Sequence, residues 1–498
     1  MADAHELAKV GTGMAGLDEL AHGGLPKGRL TLVSGTAGTG KTILGVQFLL
    51  AGITDADEAG VWVAFEETPE DVREAMLSFG WDIGRAENEN KFRFVDASPN
   101  FEQRDFIPGH YDLTALLSRI EHAVREIGAK RVVLDSAETL FAQFTETAPV
   151  KNLLLSVASR LAEMEVTSVM TTERTEEYGP VARHEVEDFA SRNVIILRNA
   201  LTGERRRRTI EILKMRGTQH ERGEYPFAVL PSEGIIVFPL SLMDVKETMS
   251  QDRVNSGIPE FDAMCRGGMF ENSTMLLLGA AGTGKTLMCS HFAKAAADRG
   301  ERCLYFSMEE SRAQIFRNSA GWGFDFQRQE QDGLLSIWGA YAGSAALEDH
   351  LIKMKVEIER FDPHRVVIDG LSALESAASS KGFREFVGGF LAFLKGRGIA
   401  MMLTATSPTL TGDPSAGEGN LSTSADSVVL LRHTETEEGL HLAIAILKMR
   451  GSPHDRAVRK FTIDDTGMHI GEAVEEVIGI LGGPVLQAQA RPSTRRAP

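Results

Sequence analysis

The sequence predicts an α/β fold built twice in tandem, each copy a mostly parallel twisted sheet flanked by helices. Three observations carry that expectation. Two loops of one design, Gly35-Thr36-Ala37-Gly38-Thr39-Gly40-Lys41-Thr42 and Gly279-Ala280-Ala281-Gly282-Thr283-Gly284-Lys285-Thr286, stand 285 − 41 = 244 positions apart. Buried strand-like runs, Leu30 to Val33 and Met275 to Leu278, end at the loops, and apolar helical patterns follow each lysine. Short apolar runs then alternate with helical stretches through both copies, the order that gives a parallel sheet covered on both faces.

The chain has 498 residues, more than one core usually holds, and two domains of about 240 residues suit the usual size limits. The expected division is 1–240 and 241–482, with a polar linker from roughly Leu240 to Val254 and a disordered Pro-, Gln- and Arg-containing tail over 483–498. A formal charge of −17 speaks against a chain whose main task is wrapping nucleic acid, and Arg205 to Arg208 is the one dense basic run. Cys265, Cys289 and Cys303 lack metal-ligand spacing and read as reduced cytosolic thiols. Met1 to Val10 has no apolar signal core, and no run is long enough to span a bilayer, so a cytoplasmic location is expected.

The glycine-rich loops are phosphate cradles: glycines let consecutive N–H groups face an anion, and the helix N-terminus adds a positive end. Lys41 and Lys285 are placed to reach the β- and γ-phosphates, and Thr42 and Thr286 to ligate Mg²⁺. The repeat starts earlier, since Thr12-Gly13, Leu17-Asp18 and Gly23-Gly24-Leu25 answer Ser256-Gly257, Phe261-Asp262 and Gly267-Gly268-Met269. Next, the strands Val61 to Phe65 and Leu304 to Met308 each end in paired carboxylates, Glu66-Glu67 and Glu309-Glu310. Thr68-Pro69 with Asp71, and Ser311 with Gln314, read as capping boxes that start helices there. In open α/β sheets that strand-to-helix edge is where ligands bind, which makes these glutamates candidate catalytic bases.

Arg131 to Asp135 and Arg365 to Asp369 are buried strands with an acid at the exit, the Walker B arrangement for Mg²⁺. Their offset is 369 − 135 = 234, so the first copy carries about ten extra residues upstream, placed near Asn100 to His110. Lys214-Met215-Arg216-Gly217-Thr218-Gln219-His220 matches Lys448-Met449-Arg450-Gly451-Ser452-Pro453-His454 at the same offset. Taken alone, each segment is a surface turn; retained in both copies, they become candidate nucleotide contacts lent to a neighbouring subunit, with Lys214, Arg216, Lys448 and Arg450 as the cations. Arg208 has Leu442 as its counterpart, which leaves the first site one cation richer. Ahead of the strands Val194 to Leu197 and Val428 to Leu431 the copies differ: Ser422 and Thr423 stand against Asp188 and Phe189, so only the second copy offers hydroxyls.

Assembled, these segments resemble the KaiC family of circadian-clock ATPases and autokinases, from about Gly11 to Gly483. The stretches Thr171 to Pro180 and Gly203 to Thr209 follow the family closely. The resemblance implies RecA-like P-loop NTPase domains stacked as two rings of six in a homohexamer, with ATP and Mg²⁺ at the subunit interfaces. It implies slow ATP hydrolysis in the first ring and autophosphorylation in the second, with Ser422 and Thr423 as acceptors and Glu309 and Glu310 as the carboxylates that activate them. Glu309 joins Thr286 and Asp369 as a metal ligand on this reading, and Ser78 and Trp322 line the nucleotide. Gly417 stands where the family has a further threonine, and Leu442 replaces a second-ring arginine; both bear on the balance of kinase and dephosphorylation. The short basic tail does not match the segment by which family members engage KaiA, which points to a KaiA-independent system with a KaiB-like partner. Two other classes share the loops: a RecA- or DnaB-like DNA motor, for which an aromatic-interleaved basic stripe is missing, and a nucleotide-gated scaffold, against which the intact glutamates argue.

Overall fold

Leu30–Gly35 and Thr274–Gly279 are strands buried along their whole length, each in the interior of a nine-stranded sheet. The computed structural model describes residues 7–97, 113–138, 147–179, 192–202, 205–239, 250–375, 380–406, 421–436 and 439–474. The insertion expected near Asn100 to His110, Gly417 and the tail after Gly483 lie outside the described residues. The chain divides into two compact units, Met1–Leu242 and Met243–Pro498.

In the first unit the spatial strand order is Gly234–Val237, Glu224–Leu230, Arg205–Met215, Asn193–Thr202, Leu30–Gly35, Thr167–Glu173, Arg131–Asp135, Gly60–Ala64 and Phe92–Asp96. From Asn193–Thr202 to Phe92–Asp96 neighbours run parallel, and the remaining strands are added antiparallel. The second unit repeats this plan, from Leu335–Gly339 at its parallel edge to Gly467–Ala473 at its antiparallel edge. Parallel strands covered on both faces must be apolar on both, which is why these runs show no alternation. Trp62 and Val133 pack beneath the helix Lys41–Ala56, while Val61, Val63, Val132 and Leu134 pack beneath Leu113–Ile127 and Thr147–Glu163. The second unit's opening strand, Arg253–Val254, falls at the end of the stretch read from sequence as linker, and pairs with Met269–Phe270.

Both units bury an arginine at the start of the Walker B strand. Arg365, 0% exposed, donates Nε to Glu301 at 2.7 Å and Nη1 to the Asn255 carbonyl at 2.7 Å, with its guanidinium 4.9 Å from the Phe292 ring centroid. Arg131 repeats this with Glu58, the carbonyls of Gly11 and Phe48, and the Phe48 ring. An always-charged, planar donor can be buried only when its fork is filled, so each arginine ties its P-loop helix, its Walker B strand and its N-terminal segment into one geometry.

His291, buried on the helix Lys285–Asp298, accepts a hydrogen bond at Nε2 from the Met468 N–H at 3.0 Å. Burial, with the Lys294 charge adding to it, pulls its pKa down from 6.5 to about 4. The unfolded chain therefore binds the extra proton first, and stability is present above pH 6.5 and lost as pH falls toward 4. Chemical denaturation should show the second unit losing about 1 kcal/mol between pH 7 and pH 5.5. The same series on His291→Gln should lack that component; equal slopes would refute the assignment.

Candidate functional site

The phosphate cradles form as the loop chemistry requires. Gly38 and Gly40 have φ of 73° and 99°, and Gly282 and Gly284 of 76° and 87°, backbone states that turn the N–H groups inward. A Cβ on Gly38 or Gly282 would meet nothing within 4 Å, so each cradle is open there to an incoming anion. Lys41 Nζ donates to the Gly35 and Thr36 carbonyls at 2.8 and 2.9 Å, and Lys285 Nζ to those of Gly279 and Ala280, both at 2.8 Å. Each ammonium is thereby fixed over its loop with one N–H left for a phosphate oxygen. Burial lowers both lysine pKa values; Glu173, Asp135, Glu66 and Glu177 oppose this at Lys41, and Asp369 and Glu309 at Lys285. A triphosphate fits that arrangement, because its oxygens can accept the remaining N–H of an enclosed ammonium together with the N–H groups of the loop.

At the first site Thr42 Oγ1 donates to Asp135 Oδ2 at 2.8 Å, and Thr171 donates to Oδ1. A hydroxyl and a carboxylate so placed suit a hard divalent cation such as Mg²⁺. Burial raises the Asp135 pKa against the pull of Thr171, Thr42 and Lys41. The second site differs from the first: Asp369 accepts from Tyr305 Oη at 2.9 Å and from Thr404 Oγ1 at 2.6 Å. Among the described residues no side-chain hydrogen bond joins Thr286 to Asp369.

The glutamate pairs emerge beside these acids because backbone bonds hold the strand ends together: Phe65 N donates to the Asp135 carbonyl at 3.0 Å and Met308 N to that of Asp369 at 2.9 Å. Both capping boxes form, Thr68 with Asp71 and Ser311 with Gln314. Gly370 has φ of 93°, a backbone state that favours glycine, and a Cβ there would also press on Glu309 Cγ at 3.0 Å. Within each pair the second carboxylate has its pKa raised, Glu67 by burial and the charge of Asp135, Glu310 by burial and that of Asp369, with the Asn318 hydrogen bond opposing.

The Lys-Met-Arg-Gly segments stand elsewhere. Met215 pairs with Asn193, itself opposite Thr31, whereas the cradle begins at Gly35, opposite Leu197. Met449 pairs with Ser427, opposite Met275, whereas the second cradle begins at Gly279. About four residues of strand, roughly 13 Å, separate each segment from its own cradle. A β-bulge on the strand carrying each segment turns out a leucine, Leu213 at 40% and Leu447 at 42% exposure, and re-aims the lysine that follows. Thr218, His220 and Ser452 lie in the turns just beyond; Ser452 Oγ accepts from Arg253 at 2.6 Å.

Ser422 and Thr423 lie in the helical turn 421–424, ahead of the strand Ser427–Thr436 and on that same amino edge. Lys448 Nζ donates to the Ser422 and Ala425 carbonyls at 2.9 and 2.7 Å, and Arg450 to that of Thr423 at 2.9 Å. These cations therefore hold the backbone of the hydroxyl-bearing turn in their own chain. Ser78 and Trp322 occupy matching C-caps, 322 − 78 = 244 apart, on the helices that follow the glutamate pairs.

Sequence reasoning missed Glu177, which accepts from Thr36 Oγ1 at 2.6 Å and from Asn199 N at 2.9 Å. With Arg174 and Arg206 it lines a cavity of about 500 Å³ beside the first cradle. Arg206 belongs to the basic run, which lies on the hairpin arm extending past the cradle. Thr171, Thr404 and Tyr305 were also missed, although alignment of the two copies gives the threonines as a matching pair. Among the described residues no helix is long and apolar enough to cross a membrane.

A family model described as "ATPase: KaiC" matches the chain twice, over residues 10–241 and 254–475. The chain is 48% identical over 485 residues to the circadian clock protein KaiC3 of Synechocystis, covering 97% of this chain and 96% of that one. It is 46% identical to the circadian clock oscillator proteins KaiC of Thermostichus vulcanus, over 478 residues, and Synechococcus elongatus, over 477, each covering 96% of this chain and 92% of the relative.

Removing one cradle lysine should empty one site. Lys41→Met and Lys285→Met should each lower retained nucleotide from about two per chain to about one, with affinity at the altered site falling roughly 10- to 100-fold for the lost charge-assisted bonds. Chromatographic quantification of nucleotide after gel filtration checks this, and two retained nucleotides in either variant would refute it.

Proposed function

The chain belongs to the KaiC ATPase family, and from that premise we propose that it is a homohexameric timing protein that hydrolyses ATP in its first unit and phosphorylates its own Ser422 and Thr423 in its second. The observation that carries this reading is the separation between each cradle and the amino-edge elements of the same unit. Ser422, Thr423, Lys448 and Arg450 stand at the sheet edge opposite the Lys285 cradle, so in a closed ring they meet the nucleotide of an adjoining copy.

In the second unit Lys285 and the cradle N–H groups hold the β- and γ-phosphates. Glu309 or Glu310 takes the proton from the neighbour's Ser422 or Thr423 hydroxyl as its oxygen bonds to the γ-phosphorus. The bond to the β,γ-bridging oxygen breaks, and ADP leaves. Thr42 and Asp135 in the first unit, and Thr286, Glu309 and Asp369 in the second, would hold Mg²⁺, which when bound would neutralise phosphate charge. The first unit presents no hydroxyl pair at the matching positions, so Glu66 or Glu67 orients water and the outcome is hydrolysis. Added phosphate, carrying about two negative charges, would sit beside Lys448 and Arg450 and alter their grip on the 421–424 turn, coupling modification to the interface. The timing role follows the relatives' names, and a KaiB-like partner, independence from KaiA and a cytoplasmic location belong to the same proposal.

A mixing experiment tests transfer between chains. Glu309→Gln/Glu310→Gln supplies intact acceptors without the base, and Ser422→Ala/Thr423→Ala supplies the base without acceptors. Each alone should incorporate almost no phosphate, while the mixture with ATP and Mg²⁺ should place it on Ser422 and Thr423 of the first variant, read by phosphopeptide mapping. Failure of the mixture while the unaltered chain is modified would refute transfer between copies, and an unmodified parent chain would refute the kinase. Separately, Glu66→Gln/Glu67→Gln should reduce steady-state phosphate release by the first unit about 10²- to 10⁴-fold, measured in the Ser422→Ala/Thr423→Ala background.

A further inference from the structure

Both units hold Oδ1 of the Walker B acid with a threonine of the neighbouring strand, Thr171 or Thr404, but they give Oδ2 different donors. Asp135 is held on Oδ2 by Thr42, the hydroxyl of the cradle itself, so this acid and the phosphate loop are directly joined. Asp369 has no such tie. Its Oδ2 accepts from Tyr305 Oη at 2.9 Å, and its Oδ1 from Thr404, whose hydroxyl oxygen in turn accepts from Gly370 N at 2.7 Å. Tyr305 is 0% exposed and Asp369 7%. The strands Cys303–Ser307 and Ala400–Thr406 flank Arg365–Asp369 on either side, so the acid is clamped from both neighbours. Position 62, the counterpart of 305 at 305 − 62 = 243, is Trp62, which packs in the apolar core of the first unit.

We propose that Tyr305 is a positioning residue for the divalent cation of the second site: its phenol locks the Asp369 carboxylate in the orientation that receives the cation, a device the first site does without. This rests on the nucleotide–metal reading of the second cradle given above. A phenol donates but cannot replace the carboxylate as a cation ligand, so its contribution passes wholly through Asp369. Removing it leaves a nearly buried carboxylate oxygen without its donor and frees the side chain to rotate, both of which disfavour the bound geometry. Clamping by neighbouring strands also makes the second acid independent of the cradle threonine, leaving Thr286 unengaged by Asp369 and available to the cation.

The test uses the full chain, a non-hydrolysable ATP analogue, and Mn²⁺ as the probe, with free Mn²⁺ read by electron paramagnetic resonance. The unaltered chain should bind about two Mn²⁺ per chain. In Tyr305→Phe one class should weaken about 10-fold, the usual scale for losing an outer-shell partner, while the other stays unchanged. Tyr305→Leu, which lacks the phenol and packs differently, should give the same shift, and Trp62→Phe should move neither class. Unchanged affinities in both Tyr305 variants overturn the proposal, as does a loss confined to Tyr305→Leu, which would assign the effect to packing. Fewer than two Mn²⁺ on the unaltered chain would overturn the underlying metal reading and the proposal with it.

Discussion

A parallel strand has two chemically different ends, and the separation between them governs this molecule. Leu30–Gly35 and Thr274–Gly279 deliver a phosphate cradle at the carboxyl end, because that is where a strand turns into a helix N-terminus and unpaired N–H groups converge. Whatever the neighbouring strands carry at the opposite edge of the sheet is held away from that cradle by the length of the strand. Lys214, Arg216, Lys448, Arg450, Ser422 and Thr423 are all so held. Within their own unit these groups do not share an edge with the phosphate loop.

Duplication preserved the scaffold and let the sites diverge. The buried guanidiniums of Arg131 and Arg365 hold equivalent partners, and Thr12 and Ser256 donate their backbone N–H to Asp18 and Asp262 in the same way. The divergence lies in how reactive groups are held. Thr36, tethered to Glu177 in the first cradle, is replaced by Ala280 in the second, and the donor to Oδ2 of the Walker B acid passes from the cradle threonine to Tyr305. Such changes alter a site's chemistry while leaving its backbone in place.

The fold class was legible because its signals are local. The Gly-Lys-Thr loops, the capping boxes at Thr68 and Ser311, and the apolar runs ending in Asp135 and Asp369 each specify their own conformation within a few residues, and all form as read. The antiparallel strands beyond Arg205–Met215 and Gly439–Met449 were not read, since their register depends on a hairpin closing against a sheet already built. Glu177, Thr171 and Thr404 escaped notice for a related reason: each acts on a residue at least 35 positions away.

The sequence by itself determined the doubled cradles, the carboxylates at the strand exits and the presence of hydroxyls in only one copy, because these follow from residue type and short spacing. Only the tertiary structure decided which groups face which. It set the Lys448 and Arg450 cations on the backbone of the 421–424 turn, and it placed Tyr305 rather than Thr286 against Asp369. Those pairings depend on strand order and on a bulge of one residue, which arise when distant segments pack and leave no local signature in the chain.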